Sequence, residues 1–285
     1  MVRDYIEVAR PKDWVKNVFV LLPIPFALAD GAKLDPRVFA LGLIALCLTN
    51  SGVYVFNDVH DAERDKLHEQ KRRRPVASGR ITPLRGYLWS ALLAASGLLL
   101  ASVAPLRAFA LIGAYLALNL IYTFGGKSVA LLDVFLLASG FVLRVLIGCA
   151  LVAVAPSHPM LLCSYALALF LALAKRRADV VAGLDGTHRP SLLGYNLAFL
   201  DQAMTITASL AIVGYALYSM ESSVLVAGRK FASLPFVMFG VLNYLRMVHV
   251  RQKGASPVDL LLSSPALWVT GIGWLLSVVW SLGWG

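Results

Sequence analysis

Charge is scarce in this 285-residue chain, and negative charge is scarcer still: 16 Asp and Glu stand against 26 Lys and Arg, and the four types together make up 15% of the residues. Soluble domains carry roughly a quarter charged residues, so the shortage, with a hydrophobic content of 59% and a mean hydropathy of +0.72, excludes a soluble domain. Cysteine is nearly absent. Cys47, Cys149 and Cys163 are odd in number, lack paired spacing and fall in apolar runs, so they read as small core residues rather than a disulfide framework. The five histidines, His60, His68, His158, His188 and His249, show no metal-ligand spacing, and His60 alone neighbours other polar residues of interest. Residues 1–13 are charged and lack a short apolar core with a small-residue cleavage site, so no cleavable signal peptide is expected and the first span serves as its own insertion signal.

Long apolar runs are what the chain has in abundance. Against the roughly 20 residues that cross hydrocarbon, runs at about 15–31, 36–56, 84–104, 107–124, 129–152, 159–175, 199–219, 231–248 and 263–283 read as nine spans. The first contains Pro23 and Pro25, which would kink it. The expected fold is therefore all-α, a polytopic membrane bundle of about nine transmembrane helices around a cytoplasm-facing cavity, forming a single domain over 1–285. Lys33, Arg37, Arg107, Arg229 and Lys230 fall on one side of the spans, Arg144 falls inside one, and the remaining Lys and Arg fall on the other side. That second side is cytoplasmic by the retention of basic residues in short inner loops. Topology accounts for most of the net charge of +10, and no separable basic domain points to nucleic acid.

Carboxylates near hydrocarbon are costly unless a cation meets them. Asp58, Asp61 and Asp65 follow the second apolar run at intervals of three and four, a spacing that puts them on one helix face and reads as a metal site. Lys71, Arg72, Arg73 and Arg74 come next, and acid followed by base suggests metal plus phosphate. Pairing with Arg64, Lys71 or Arg72 would explain one aspartate more easily than three, and Asp65 has Lys66 and the downstream arginines as alternatives. The pattern recurs: the stretch from Asp58 to Arg74-Pro75 is echoed by Asp179 to Asp185, His188, Arg189 and Pro190, each read as a cytoplasmic loop beginning with acid and ending in Arg-Pro. Lys175 and Asp179 share a face at a spacing of four. Arg144, deep in the fifth run, needs a polar partner other than Asp133, which lies too far along the same helix.

These residues resemble the UbiA-type superfamily of intramembrane prenyltransferases, whose first motif, Asn-Asp-x-x-Asp-x-x-x-Asp, is matched by Asn57, Asp58, Asp61 and Asp65. Within it, Arg10-Pro-Lys12-Asp-Trp14-Val-Lys16-Asn17, Tyr122-Thr-Phe-Gly-Gly-Lys127 with Leu131-Leu-Asp133-Val, and Ala174-Lys175-Arg176-Arg177-Ala-Asp179 look most like the branch that moves phosphoribose onto decaprenyl phosphate. The resemblance implies Mg²⁺ held by Asp58, Asp61 and Asp65, with Asn57 orienting a donor hydroxyl or an aspartate unless it caps a helix. The substrates it implies are phosphoribosyl diphosphate and a polyprenyl phosphate lipid, for lipid-linked arabinose and envelope synthesis, at the plasma membrane and with a homo-oligomer allowed. Typical second motifs carry several acids; here Asp179 stands among cations, which suits a donor with an additional phosphate.

Candidate substrate contacts are Lys12, Lys16, Asn17, Arg72, Arg74, Tyr122, Lys127, Lys175, Arg176 and Asp179, with Arg144 added because a guanidinium inside a span needs a polar partner. Lys12, Lys16 and Asn17 are equally consistent with interfacial anchoring beside Trp14, and the Lys175–Arg177 triplet with an end-of-span anchor. Two other functions compete. An aromatic-acceptor prenyltransferase would share the aspartates and the metal but use an isoprenyl diphosphate. An ion-coupled transporter would place its acids near the bilayer midplane rather than beside bases at the cytoplasmic ends.

Overall fold

A computed structural model describes residues 2–67, 69, 71–187, 189–250 and 264–283; Arg251, Lys253, His68 and His188 of the sequence reading lie outside them. Its α-helices are α1 (Val2–Ala9), α2 (Pro23–Ala29), α3 (Pro36–His60), α4 (Ala62–Lys66), α5 (Pro83–Ala101), α6 (Leu106–Phe124), α7 (Leu132–Leu151), α8 (His158–Val181), α9 (Leu197–Glu221), α10 (Leu234–Val250) and α11 (Pro265–Ser281). Among the described residues, seven helical stretches are long and apolar enough to cross a membrane: α3, α5, α6, α7, α8, α9 and Ala227–Val250, the last including α10. The apolar α11 is 17 residues long.

The starts of these helices are written locally. Pro36, Pro83, Pro159 and Pro265 occupy first-turn positions, where the missing N–H costs no hydrogen bond. Asp35 accepts from the N–H groups of Arg37 and Val38, Ser157 from Met160 and Asn196 from Phe199.

Two of the runs differ from their sequence outlines. The first is a 3₁₀ helix over Pro11–Leu21, followed at Pro23 by the seven-residue α2. The sixth does not end at 175; α8 continues to Val181, so Lys175, Arg176, Arg177 and Asp179 are helical rather than in a loop. The charges do not stop the helix because Arg176 and Asp179, three apart, pair at 3.0 Å, and Arg176 and Arg177 are buried by their surroundings.

The chain forms two compact units, described separately. The first comprises residues 1–27, 32–126 and 143–155 and is organised on α3, which packs along α5 and also meets α1, α6 and the 3₁₀ helix. The α3–α5 seam is made of small residues. A Cβ on Gly97 would stand 2.7 Å from the Ala45 carbonyl oxygen and 2.7 Å from the Thr49 nitrogen; one on Gly52 would stand 2.9 Å from the Ser90 carbonyl oxygen. Ser90 Oγ also donates to the Gly52 carbonyl at 2.7 Å, so backbone approach and a hydrogen bond reinforce each other. Gly97→Leu is expected to cost about 1–3 kcal/mol or more through overpacking, read as a lowered unfolding temperature of the purified protein. Gly113→Leu, where an added Cβ meets nothing within 4 Å, should leave that temperature near the wild-type value.

The second unit comprises residues 28–31, 127–142 and 156–285. Helices α8 and α9 pack along their length, and α10 joins α9 and α11. Phe170, Leu200, Met204 and Tyr244 anchor its core, with the Val134 and Ala138 side chains of α7 and with Leu192 and Tyr195 of the segment before α9. In both units many large apolar side chains stay exposed, among them Leu84, Leu88, Leu92 and Leu99 on α5 and Trp268, Val269, Ile272 and Leu276 on α11. Faces of this composition are suited to lipid.

Candidate active site: arginine-clamped carboxylates

In the first unit, α3 carries Asp58 to its last turn, where its side chain is 2% exposed. Two arginines from distant sequence meet it. Arg10 Nη2 lies 2.5 Å from Asp58 Oδ1, and Arg74 Nη1 lies 3.0 Å from the same oxygen and 2.6 Å from Asp65 Oδ2. These are charge-assisted hydrogen bonds between buried or half-buried groups, the strong kind. Arg10 joins α1 to the 3₁₀ helix with φ 50° and ψ 57°, a left-handed conformation that a non-glycine residue holds only under constraint. Burial works against its charge, but the Asp58 carboxylate more than offsets this and raises the Arg10 pKa.

The sequence spacing places three aspartates on one helix face, and here the structure differs. Helix α3 ends at His60, α4 begins at Ala62, and Asp61 sits at the bend between them with ψ near 1°. Asp58 and Asp65 are buried and converge on Arg74, whereas Asp61 is half-buried. Asp58 pairs with Arg10 and Arg74 rather than with Arg64, Lys71 or Arg72; Arg64 and Arg72 are turned to the exterior. Asp65 takes a downstream arginine, as its alternative reading allows. Asn57 is within α3 and does not cap it.

Tyr54 stands between two cations: Arg10 lies 5.4 Å and Lys16 Nζ 5.5 Å from its ring centre, and Lys16 also pairs with Asp13 at 2.7 Å. Lys12 and Arg72 are exposed, and Tyr122 is half-buried. Asn17 is buried, donates to Cys47 Sγ and accepts from Arg144 Nε at 2.9 Å. Arg144 Nη2 donates to Tyr115 Oη at 2.7 Å, and Tyr115 donates onward to Asn50. The intramembrane arginine thus finds its polar partners within the first unit, and Asp133 is not among those bonds.

The second unit builds its own centre around Asp133, at the start of α7 and 0% exposed. Tyr195 donates to Asp133 Oδ1 at 2.6 Å and Ser191 to Oδ2 at 3.0 Å, while Arg189 Nη2 lies 3.3 Å and Arg176 Nε 3.7 Å from Oδ2. Arg176 also stands 3.0 Å from Asp179, a contact of charge rather than of an aligned hydrogen bond. Burial, followed by the hydrogen bond to Asp133, holds the Tyr195 pKa above its ordinary value, so Tyr195 remains a donor. Lys175 and Asp179 are both on α8, where the ion pair of Asp179 is made by Arg176; Lys175 is exposed, and Lys127 is buried. Arg177 turns elsewhere, to Asp201 at 2.6 Å and to the Val248 carbonyl.

Sequence reasoning missed Arg10, Tyr54, Asp133, Arg189, Ser191 and Tyr195 as site residues. Arg10 opens the first stretch quoted above and Arg189 closes the Arg-Pro echo, so both carried a signal. Ser191 and Tyr195 carried none. Among the described residues, no group of three His, Cys, Asp or Glu side chains is arranged to hold a metal. The oxygen chemistry nevertheless suits a hard divalent cation: two buried carboxylates, Asp58 and Asp65, already converge on one cationic group, the Arg74 guanidinium.

The fold and these centres define a multi-pass helical membrane protein whose acids are held at helix ends by arginine. A model of the UbiA prenyltransferase family matches residues 17–257, and the chain belongs to that family. It is therefore an enzyme of the UbiA-type transferase superfamily, which removes the transporter reading. A Corynebacterium glutamicum protein named decaprenyl-phosphate phosphoribosyltransferase is 32% identical, the match covering 96% of this chain and 85% of the relative. A Mycobacterium tuberculosis protein of the same name is 29% identical, over 98% and 94%. In fold, the chain is similar to a UbiA homolog from Archaeoglobus fulgidus bound to GPP and Mg²⁺, with 17% identity, 98% of each chain covered and a TM-score of 0.75.

Proposed function

We propose that the protein transfers the 5-phosphoribosyl group of phosphoribosyl diphosphate to a polyprenyl phosphate such as decaprenyl phosphate, releasing diphosphate. We place the reaction at the cytoplasmic face of the plasma membrane, in one UbiA-type domain over 1–285, and its product in lipid-linked arabinose and envelope synthesis. The observation that carries this reading is the end-to-end match to relatives named for that transfer. The balance of each centre supports it: every buried acid is met by arginine, as suits a site for several anionic groups.

In the reaction, the bond from C1 of the ribose to the diphosphate oxygen breaks, and a bond from C1 to an acceptor phosphate oxygen forms. That acceptor oxygen is already ionised at neutral pH, so no strong general base is required. Asp58 and Asp65, which converge on Arg74, with Asp61 at the adjoining bend, would hold Mg²⁺, which would neutralise the departing diphosphate. Arg10 and Arg74 hold Asp58 and Asp65 in a fixed orientation before substrate arrives, a preorganised arrangement at the place where charge separates. Asn57, one residue before Asp58, is assigned to orienting a donor hydroxyl. Lys12, Lys16, Asn17, Arg72, Tyr122, Lys127, Lys175, Arg176 and Asp179 remain candidate substrate contacts.

The test uses membranes containing the protein, labelled phosphoribosyl diphosphate, Mg²⁺ and polyprenyl phosphate. Label is expected to enter the lipid and to stay out of it when Mg²⁺ is chelated. An unlabelled lipid fraction with the metal present overturns the reading, and label passing instead from an isoprenyl diphosphate to an aromatic acid would select the prenyltransferase alternative.

A further inference from the structure

Arg80 lies at the surface of the first unit, its side chain 39% exposed, yet its guanidinium is fully occupied. Nε donates to Ser78 Oγ at 3.1 Å, Nη1 to Asp4 Oδ1 at 2.7 Å and Glu7 Oε2 at 2.9 Å, and Nη2 to Glu7 Oε1 at 3.0 Å and the Arg73 carbonyl at 2.6 Å. A guanidinium has five N–H donors, and these contacts use them all. The two bonds to Glu7 form a parallel fork, and they hold the Glu7 carboxyl below its ordinary pKa, so it stays ionised at neutral pH.

What Arg80 joins is the backbone beside each arginine of the Asp58 centre. On one side, the Glu7 carbonyl accepts from the Arg10 N–H at 3.2 Å, and Arg10 reaches Asp58. On the other, the Arg73 carbonyl that Arg80 holds belongs to the peptide bond of Arg74, which reaches Asp58 and Asp65. Ser78 closes the path a second time. It accepts from Arg80 Nε and donates its own N–H to the Arg74 carbonyl at 2.9 Å. Gly79 turns the chain between them at φ 78°, in the left-handed region that glycine enters without side-chain penalty.

Attachment of α1 does not depend on this network. Val8 and Ala9 are buried with Val55, Val59 and Val76, and Tyr5 packs edge-on against Trp89, whose indole N–H donates to the Tyr5 carbonyl at 3.2 Å. Exposed ion pairs add little to stability. Their contribution here is direction: apolar burial is non-directional, whereas a planar group bonded on all its N–H positions fixes the placement of α1 relative to the segment before Arg74.

We propose that Arg80 is a positioning residue for the carboxylate centre, setting Arg10 and Arg74 against Asp58 and Asp65 while touching neither acid. The inference rests on the function proposed above only for its effect on turnover, because the placement of the two arginines is a property of the chain itself.

The experiment compares Arg80→Gln, Arg80→Lys, Glu7→Gln and the double variant Arg80→Gln/Glu7→Gln as purified full-length proteins, by amide hydrogen exchange, unfolding temperature and the transfer assay. Arg80→Gln is expected to speed exchange about tenfold or more over residues 2–13 and 71–78, where the amides of Arg10, Asp13, Arg74 and Ser78 are hydrogen-bonded, and to leave α5 at the wild-type rate. The unfolding temperature should move by no more than about 4 °C. The turnover number should fall about tenfold or more, since small displacements at a reacting centre are costly, with KM for phosphoribosyl diphosphate within about twofold. Glu7→Gln should repeat these effects in weaker form and serves if Arg80→Gln does not fold. The double variant should lose no more than Arg80→Gln alone, because both changes break one link. Arg80→Lys, which keeps the charge but not the fork, should recover part of the loss. Unchanged exchange in either segment, wild-type turnover despite faster exchange, or losses that multiply in the double variant overturn the inference. So does a larger fall in unfolding temperature with faster exchange through α5, which would make Arg80 a stability residue. Wild-type protein that moves no label, with both segments still loosened by Arg80→Gln, refutes the transfer reaction and leaves the positioning intact.

Discussion

Asp58→Asn is expected to lower the turnover number by about 10²–10³-fold or more, the scale on which removal of one preorganised charge-stabilising group acts, while the protein still folds. Asparagine keeps the shape of the side chain and one acceptor oxygen, so Arg10 and Arg74 retain partners, Arg74 through Asp65 as well. What is lost is a full negative charge, 2% exposed, at the point where the proposed Mg²⁺ and diphosphate meet. The rate of label entry into lipid at saturating donor and Mg²⁺, with elution as a monodisperse species as the folding control, reads this directly. A variant that keeps its wild-type rate would remove Asp58 from the metal site and leave it as a structural counter-ion of Arg10.

Arg144→Leu is expected to fail in the opposite way, losing the folded protein before any substrate is added. Sequence reasoning put Arg144 among the substrate contacts because a guanidinium inside a span needs something polar. The structure supplies that partner within the first unit: Arg144 bonds Asn17 on the 3₁₀ helix and Tyr115 on α6, and its guanidinium lies 4.8 Å from the Tyr115 ring centre. Four residues on in α7, Gly148 closes against the Val20 carbonyl, so α7 holds the irregular 11–21 segment at two levels. Leucine would leave buried partners of Arg144 without their donor, at roughly 1–3 kcal/mol for each group left unsatisfied. Lysine could reach one partner but lacks the planar fork that serves both. The unfolding temperature without substrate should therefore fall by several degrees in Arg144→Leu and by less in Arg144→Lys. An unchanged temperature together with a raised KM would return Arg144 to the substrate contacts.

The two predictions assign separate duties to residues that look alike in sequence, a charge in or beside an apolar run. The distinction lies in what each touches. Asp58 is held by groups that a competing cation or phosphate can displace, whereas Arg144 is held by neutral side chains embedded in the packing of its unit.

The sequence by itself determined the membrane class, the helical architecture and the family, because these depend on the length and composition of contiguous segments and on a short motif. It also singled out Asp58, Asp65, Arg74 and Arg176, which lie in dense local clusters of charge. The tertiary structure decided the rest. Arg10 reaches Asp58 across 48 residues and Tyr195 reaches Asp133 across 62, and no local periodicity encodes such pairings. The bend at Asp61 and the continuation of α8 through Lys175–Asp179 were likewise settled by packing: burial and ion pairing offset the cost of charge that a window of hydropathy registers only as an end of helix. Local pattern fixes where helices run, and long-range contact fixes which acid meets which arginine, because electrostatic partners are chosen by distance in space rather than along the chain.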